Sequence, residues 1–134
     1  MPLAVHTGGQ AFSGAFQQQM NDRERQNYRA RITNLFHEIQ ENAPRLLERR
    51  DLAVFEEYRM QISELMEEIL HHAYLFESVN VRDGSGRRKV FATVTVVDQK
   101  LKELGDKLLA ENSPQLDLLG RVDEIRGMIL DLFS

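Results

Sequence analysis

Apolar residues recur at steps of three and four along most of the chain, which is the spacing of a helix with one apolar face. The pattern is most regular from Arg87 to Ser134, where Ser113-Pro114 separates two runs. Serine suits a helix N-cap and proline the first helical position. The spacing predicts helices near 89–111 and 114–133, with apolar stripes formed by Val90, Val94, Val97, Leu101, Leu104 and Leu108, and by Leu116, Leu119, Val122, Ile125, Ile129 and Leu132.

Two further runs precede this pair of helices. Asn21 suits the start of the first run, which stops before Pro44, because proline disfavours helix in the residue before it. Asp51 suits the N-cap of the second run. The pattern predicts helices near 21–41 and 51–79, joined by a short turn that begins at Pro44 and ends at Arg49.

The segment 76–97 also fits a β-hairpin, since Asp83-Gly84 is a hairpin turn signal and valine and threonine favour strands. An isolated two-stranded hairpin is only marginally stable in water. The valine spacing after Lys89 also continues without a break into the leucines of the third helix. We therefore predict a mobile loop over Arg82–Arg88 and a helix from Lys89 onwards.

Four such helices predict an all-α fold, a four-helix bundle-like domain of antiparallel helices over residues 21–134. Residues 1–20 contain no Asp, Glu, Lys or Arg and no sustained periodicity, which predicts a disordered, flexible N-terminal tail. The predicted core comprises Ile32, Leu35, Phe36, Phe55, Ile62, Leu65, Ile69, Val94, Val97, Leu101, Leu104, Leu119, Val122, Ile125 and Ile129.

Composition narrows the class of protein. The 134 residues contain no cysteine, which excludes disulfides and thiolate metal sites. No apolar run approaches the ~18 residues that a membrane-spanning helix needs, and the first residues do not follow the signal-peptide pattern. We expect a single helical domain with no membrane partner.

Charge is unevenly distributed within a net charge of −4. Residues 82–89 contain one acid and four bases, which are Arg82, Arg87, Arg88 and Lys89. Such a cluster is a candidate contact for nucleic acid or another anionic ligand. Acidic and basic segments alternate along the chain, which favours ion pairs between neighbouring helices over a nucleic-acid surface.

Glu68 and His71 are the one pair with metal-site spacing, a Glu-x-x-His. A di-iron or di-manganese bundle needs two such motifs and two further glutamates, and this chain contains one motif. Because Ile69 lies on the apolar stripe, Glu68 and His71 should lie on the flank or surface of the bundle. We expect no metal, no cofactor and no enzymatic activity.

Two other features suit contacts with a partner. Phe12 and Phe16 stand four apart within the tail and could dock as one helical turn. In the last helix Gly120 and Gly127 are seven apart, so they share one side, where small residues let a neighbour approach closely. Between them Asp123 and Arg126 have the spacing of an exposed ion pair.

The C-terminal half contains the sequences GRRKVF, VDQKLKEL and QLDLLGRVDEIRGMILDLF, which resemble the YaaR-like family of small bacterial proteins of unknown function. Upstream, Phe55, Tyr58 and Ile62 look similar as well. The likeness extends over residues 46–134. It implies an all-helical bundle in a bacterial cytoplasmic protein with no established activity, so it supplies no catalytic residues.

These features favour a non-enzymatic protein–protein interaction or regulatory module that binds an unidentified protein or a second copy of itself. The alternative is a nucleic-acid or anionic-ligand binder that uses Arg82, Arg87, Arg88 and Lys89. A third possibility is a metal-dependent enzyme built on Glu68 and His71.

Overall fold

A computed structural model describes the backbone of residues 2–77, 85–110 and 112–133, and the side chains of residues 22–75, 86–110 and 112–133. These residues form four α-helices: α1 (Pro2–Arg49), α2 (Leu52–His72), α3 (Ser85–Leu109) and α4 (Gln115–Phe133). A π-helical turn, Ala73–Glu77, extends α2. The described part contains no strand, so the prediction of an all-α fold is confirmed.

The helices pack as an antiparallel bundle in which α1 lies against α2, α2 against α3, α3 against α4, and α4 against α1. The α1–α2 and α3–α4 connections meet at one end. There the Arg50 guanidinium Nη2 donates to the Ser113 carbonyl at 2.5 Å, and Gln115 Nε2 donates to the Leu47 carbonyl at 3.0 Å. At the other end of α4, Phe133 meets Phe36 of α1 edge to face, with ring centroids 5.3 Å apart.

Helix α1 is longer at both ends than the sequence predicts. It begins at Pro2 instead of Asn21 and continues through Pro44 to Arg49, so the predicted turn at Pro44 is wrong. Proline lacks the N–H for one helical hydrogen bond, but Ala43 and Leu46 on either side are buried in the core and hold the helix there. The side chains of residues 1–21 lie outside the described part, and the flexible tail over residues 1–20 stays a prediction.

The α1–α2 connection needs only two residues. Arg50 adopts a left-handed backbone conformation with φ of 51°, and its N–H donates to the Leu46 carbonyl at 3.0 Å, which ends α1. Asp51 then caps α2, because its Oδ1 accepts a hydrogen bond from the Val54 N–H at 2.8 Å. The predicted N-cap of the second helix is therefore confirmed.

Helix α3 begins at Ser85, so Arg87 and Arg88 belong to its first turn and not to a loop. Residues 78–84, which include Arg82, lie outside the described part. The threonines that favour strands fit the helix because their hydroxyls bond to the carbonyl four residues earlier: Thr93 to Lys89 at 2.9 Å and Thr95 to Phe91 at 3.0 Å.

The core lies along the bundle axis and contains nearly all of the predicted residues. Leu35, Phe36 and Val94 are only partly buried, although they pack against it. The correction concerns α4, where Leu119 is 41% exposed and Leu118 is fully buried. The buried stripe of α4 is therefore Leu118, Val122, Ile125 and Ile129, which leaves Leu116 and Leu119 outside it.

Candidate functional site

The basic residues near the start of α3 do not form one surface. Arg87 is half-buried, with its guanidinium carbon 5.7 Å from the centre of the exposed Tyr74 ring and its Nε buried without a hydrogen-bond partner among the described residues. Arg88 and Lys89 are exposed. Successive helical residues point about 100° apart, so these three side chains diverge. Arg82 lies outside the described residues, and its part in an anion site stays a prediction.

Two other arginines line a groove at this end of the bundle. Arg25 and Arg29 of α1 border a groove of about 510 Å³ together with Val90 of α3 and Phe133 of α4. Its lining, over the described side chains, includes Asp22 but none of the three basic residues at the start of α3. Within the described part of the chain, Arg25 and Arg29 therefore lie in a different group from the basic residues at the start of α3.

Glu68 and His71 lie at the surface, as predicted. The Oε2 atom of Glu68 accepts a hydrogen bond and ion pair from Arg31 Nε at 3.2 Å. Nearby, the aromatic rings of Tyr28 and His72 stack on each other, with their planes 7° apart and their centroids separated by 3.7 Å. Among the side chains that the structure describes, no three His, Asp or Glu residues come together in a way that could hold a metal ion.

The tail aromatics Phe12 and Phe16 lie outside the described side chains. Their backbone belongs to α1, on the stretch that precedes the bundle residues of that helix. Their role in partner binding stays a prediction.

The apolar pattern of the sequence did not identify one exposed surface of the structure, the side of α4 that faces away from the core. We call it the outer face of α4, formed by Leu116, Leu119, Gly120, Asp123, Gly127 and Leu130. Leu116 is 79% exposed, the largest exposed fraction among the exposed apolar side chains of the described residues. A Cβ atom placed on Gly120 or Gly127 would have no atom of the described residues within 4 Å. This face therefore combines exposed leucines with a central carboxylate and, within the described part of the chain, two open glycine positions.

A sequence signal for this face does exist. Leu116, Leu119 and Leu130 recur at helical spacing on the side of α4 that the buried stripe beginning at Leu118 leaves exposed. The predicted stripe was right at Val122, Ile125 and Ile129 and wrong at Leu116 and Leu119, because Leu118 is the residue buried in that turn. The sequence signal for the outer face is that α4 has apolar residues on its exposed side as well as on its buried side.

Charged residues mark the middle and the edges of the outer face. Arg121 pairs with Asp117 at 3.2 Å and with Glu103 of α3 at 3.4 Å, and Lys100 of α3 pairs with Glu124 at 3.2 Å. Two of these ion pairs, Arg121 with Glu103 and Lys100 with Glu124, join α4 to α3. Asp123 and Arg126 take part in no ion pair within the described part of the chain, so the pair predicted between them does not form.

Burial also changes the chemistry of one residue near Asp123. Tyr58 is almost fully buried in the core. Loss of water around its phenol, followed by the negative charge of Asp123, raises the pKa of Tyr58 well above its ordinary range.

On the surface of α2, a hydrogen bond from the Arg59 guanidinium to Glu56 at 2.7 Å, and the charge of Glu56, raise the pKa of Arg59. Both residues therefore keep their protons, which suits structural roles.

No helix, over the residues that the structure describes, has a stretch both long and apolar enough to cross a bilayer. The described polar side chains form pairs and small networks along the helices; in one of them Arg45 donates to Asn42, which donates to Gln61.

Known proteins resemble this chain in sequence and in fold. The chain is 23% identical over 103 residues to the uncharacterized protein YaaR of Bacillus subtilis (strain 168), which covers 77% of this chain and 70% of that protein. The crystal structure of the uncharacterized protein BH1478 from Bacillus halodurans superposes with a TM-score of 0.78 at 25% identity, covering 88% of this chain and 97% of that one.

A second crystal structure, of protein TM1646 from Thermotoga maritima, superposes with a TM-score of 0.71 at 21% identity, over 88% of this chain and 97% of that one. At that identity the likeness shows the fold alone. The family model described as "Protein of unknown function (DUF327)" matches residues 5–133, nearly the whole chain. The antiparallel bundle and this match together place the chain in the DUF327 family.

Proposed function

We propose that this protein is a non-enzymatic interaction module that binds a protein partner through the outer face of α4. The observation that carries the proposal is that α4 has apolar side chains both on its buried side and on its exposed side. Its buried stripe fills the core, while Leu116, Leu119 and Leu130 on the opposite side remain substantially exposed. Exposed apolar side chains that form one contiguous patch are typical of protein interaction sites.

The shape of the outer face supports a helix as the partner's contacting element. Gly120 and Gly127 have open space where side chains would stand. Leucines beside glycines form ridges and gaps, the relief into which an amphipathic helix packs. The ion pairs of Arg121 and Lys100 hold α4 against α3 and present the face on a rigid support.

We further propose that the module acts in the bacterial cytoplasm. This rests on its relatives from Bacillus and Thermotoga and on a cysteine-free sequence, which suits a reducing compartment.

The proposal is tested by affinity capture from a bacterial lysate. The wild-type chain is compared with a double variant, Leu116→Glu with Leu130→Glu, which places two charges on the outer face. Met60→Glu is the matched control, since Met60 of α2 is an apolar side chain whose exposed fraction, 64%, lies between those of Leu130 and Leu116. We expect the double variant to lose proteins that the wild type and the control both retain. Identical recovery by all three chains contradicts the proposal.

A further inference from the structure

We propose that the outer face of α4 binds a second copy of this chain, with the two α4 helices antiparallel and related by a twofold axis at Asp123. This inference rests on the proposed function of the outer face and names its partner. In such a pair, Asp123 lies beside the partner's Asp123. A residue n positions before Asp123 in one chain lies level with the residue n positions after Asp123 in the other chain. Each residue of the outer face can therefore be matched with the residue of the second copy that it would contact.

Size complementarity is the first argument. Leu119 lies four positions before Asp123 and Gly127 four positions after it. Each Leu119 is thus level with the partner's Gly127, where open space replaces a side chain. A leucine beside a glycine lets two helices approach closely, and the twofold axis forms this contact twice.

Charge complementarity is the second argument. Asp123 lies at the axis, and Arg126 lies three positions further, about 4.5 Å along the helix at 1.5 Å per residue. Each Arg126 can reach the partner's Asp123 over the space left by the partner's Gly120. Neither charged group is engaged in an ion pair in the described part of its own chain. Two cations therefore offset the two anions that the axis brings together.

The ends of the face complete the match. Leu116 lies seven positions before Asp123 and Leu130 seven positions after it, so each Leu116 meets the partner's Leu130. A parallel pair would instead place Leu119 level with the partner's Leu119 and leave both glycine gaps empty. The antiparallel pair is therefore the arrangement that fills the face.

The contact is confined to about four turns of one helix in each chain, at 3.6 residues per turn. Interfaces of this limited extent are smaller than those of permanent dimers. We expect reversible self-association that increases with protein concentration.

The first experiment is sedimentation velocity on the full chain over a wide concentration range. We expect the wild type to shift from monomer to dimer as its concentration rises. Gly127→Leu should remain monomeric, because its new side chain collides with the partner's Leu119. In its own chain that side chain meets open space, so circular dichroism should show an intact helical fold. A wild type that stays monomeric throughout, or a dimer that persists in Gly127→Leu, overturns the proposal.

Charge exchange provides the second variant set. Asp123→Arg alone and Arg126→Asp alone each bring like charges together and should weaken dimerisation at least tenfold. The double variant, Asp123→Arg with Arg126→Asp, restores opposite charges across the axis and should recover the dimer. Failure of the double variant to associate better than both single variants contradicts the proposed register.

The outcome also separates the two proposals. A monomeric wild type that still captures another protein through Leu116 and Leu130 overturns only the homodimer. A monomeric wild type whose captured proteins do not depend on these leucines overturns both.

Discussion

Phe55 of α2 packs directly over Gly105 of α3. A Cβ atom on Gly105 would lie 2.7 Å from Cζ and 2.8 Å from Cε1 of the Phe55 ring, closer than real side chains approach. Glycine is unfavourable inside a helix by up to ~1 kcal/mol relative to alanine. Its position here is explained by the buried ring, which occupies the space of a side chain and brings α2 and α3 together.

Gly105→Ala should therefore destabilise the fold, although alanine is the better helix former. Overpacking a core typically costs about 1–3 kcal/mol, which exceeds the gain of up to ~1 kcal/mol in helix propensity. We expect a net loss of roughly 1 kcal/mol in a urea melt. Gly120→Ala is the matched control, since its Cβ meets open space, and it should be neutral or stabilising. Equal stabilisation by both substitutions would show that the Phe55 ring moves aside freely.

Periodicity was sufficient to predict that four helices exist, although not where α1 and α3 begin, because each helix has an apolar stripe that packs into one core. It was insufficient for α4, where Leu118 and Leu119 adjoin and only the placement of α1 and α3 decides which one is buried. The turn predicted at Pro44 failed for a related reason. A local preference of proline was outweighed by burial of Leu46 just beyond it.

The candidate site depended even more on tertiary structure. The basic run near Arg87 looked like one cluster in sequence, yet helix geometry separates its members and turns Arg87 onto Tyr74. The outer face of α4 shows the opposite relation, because its residues are far apart in sequence and together in the structure. Its residues are spread from Leu116 to Leu130, and they become one surface only when the opposite stripe is known to be buried.

Ile125→Ala tests the assignment of the two sides of α4. Ile125 is fully buried in the core, and truncating a buried isoleucine typically costs about 2–5 kcal/mol. Leu119→Ala on the opposite side should change the free energy of unfolding by about 0.5 kcal/mol or less, as exposed positions usually do. Both values follow from denaturant melts at low protein concentration, where the monomer prevails. Similar costs at the two positions would refute the corrected stripe.

Asp51→Ala should loosen the start of α2. The Asp51 carboxylate accepts the Val54 N–H at 2.8 Å and satisfies a donor that the helix itself leaves unpaired. Loss of an N-cap typically costs about 0.5–2 kcal/mol. Asp51→Asn keeps an accepting oxygen and should retain most of the stability. If both substitutions lower the midpoint of thermal unfolding equally, the cap hydrogen bond is not the cause.

Tyr58 should make the fold sensitive to alkaline pH. Burial and the charge of Asp123 raise the pKa of Tyr58 in the folded chain above the value of about 10 that it has when unfolded. Between these two values the unfolded chain loses a proton that the folded chain keeps, so stability falls as pH rises. One such proton contributes up to about 1.4 kcal/mol per pH unit above pH 10.

Tyr58→Phe removes the ionisable group but keeps the ring in the core. The free energy of unfolding, measured in urea between pH 8 and about pH 11, should then decline less steeply than in the wild type. The control is Tyr74→Phe, which removes a hydroxyl from an exposed ring. Parallel pH profiles for wild type and Tyr58→Phe would mean that the Tyr58 phenol ionises in the folded chain as readily as in the unfolded one. The difference in slope therefore measures how completely the core excludes water at this position.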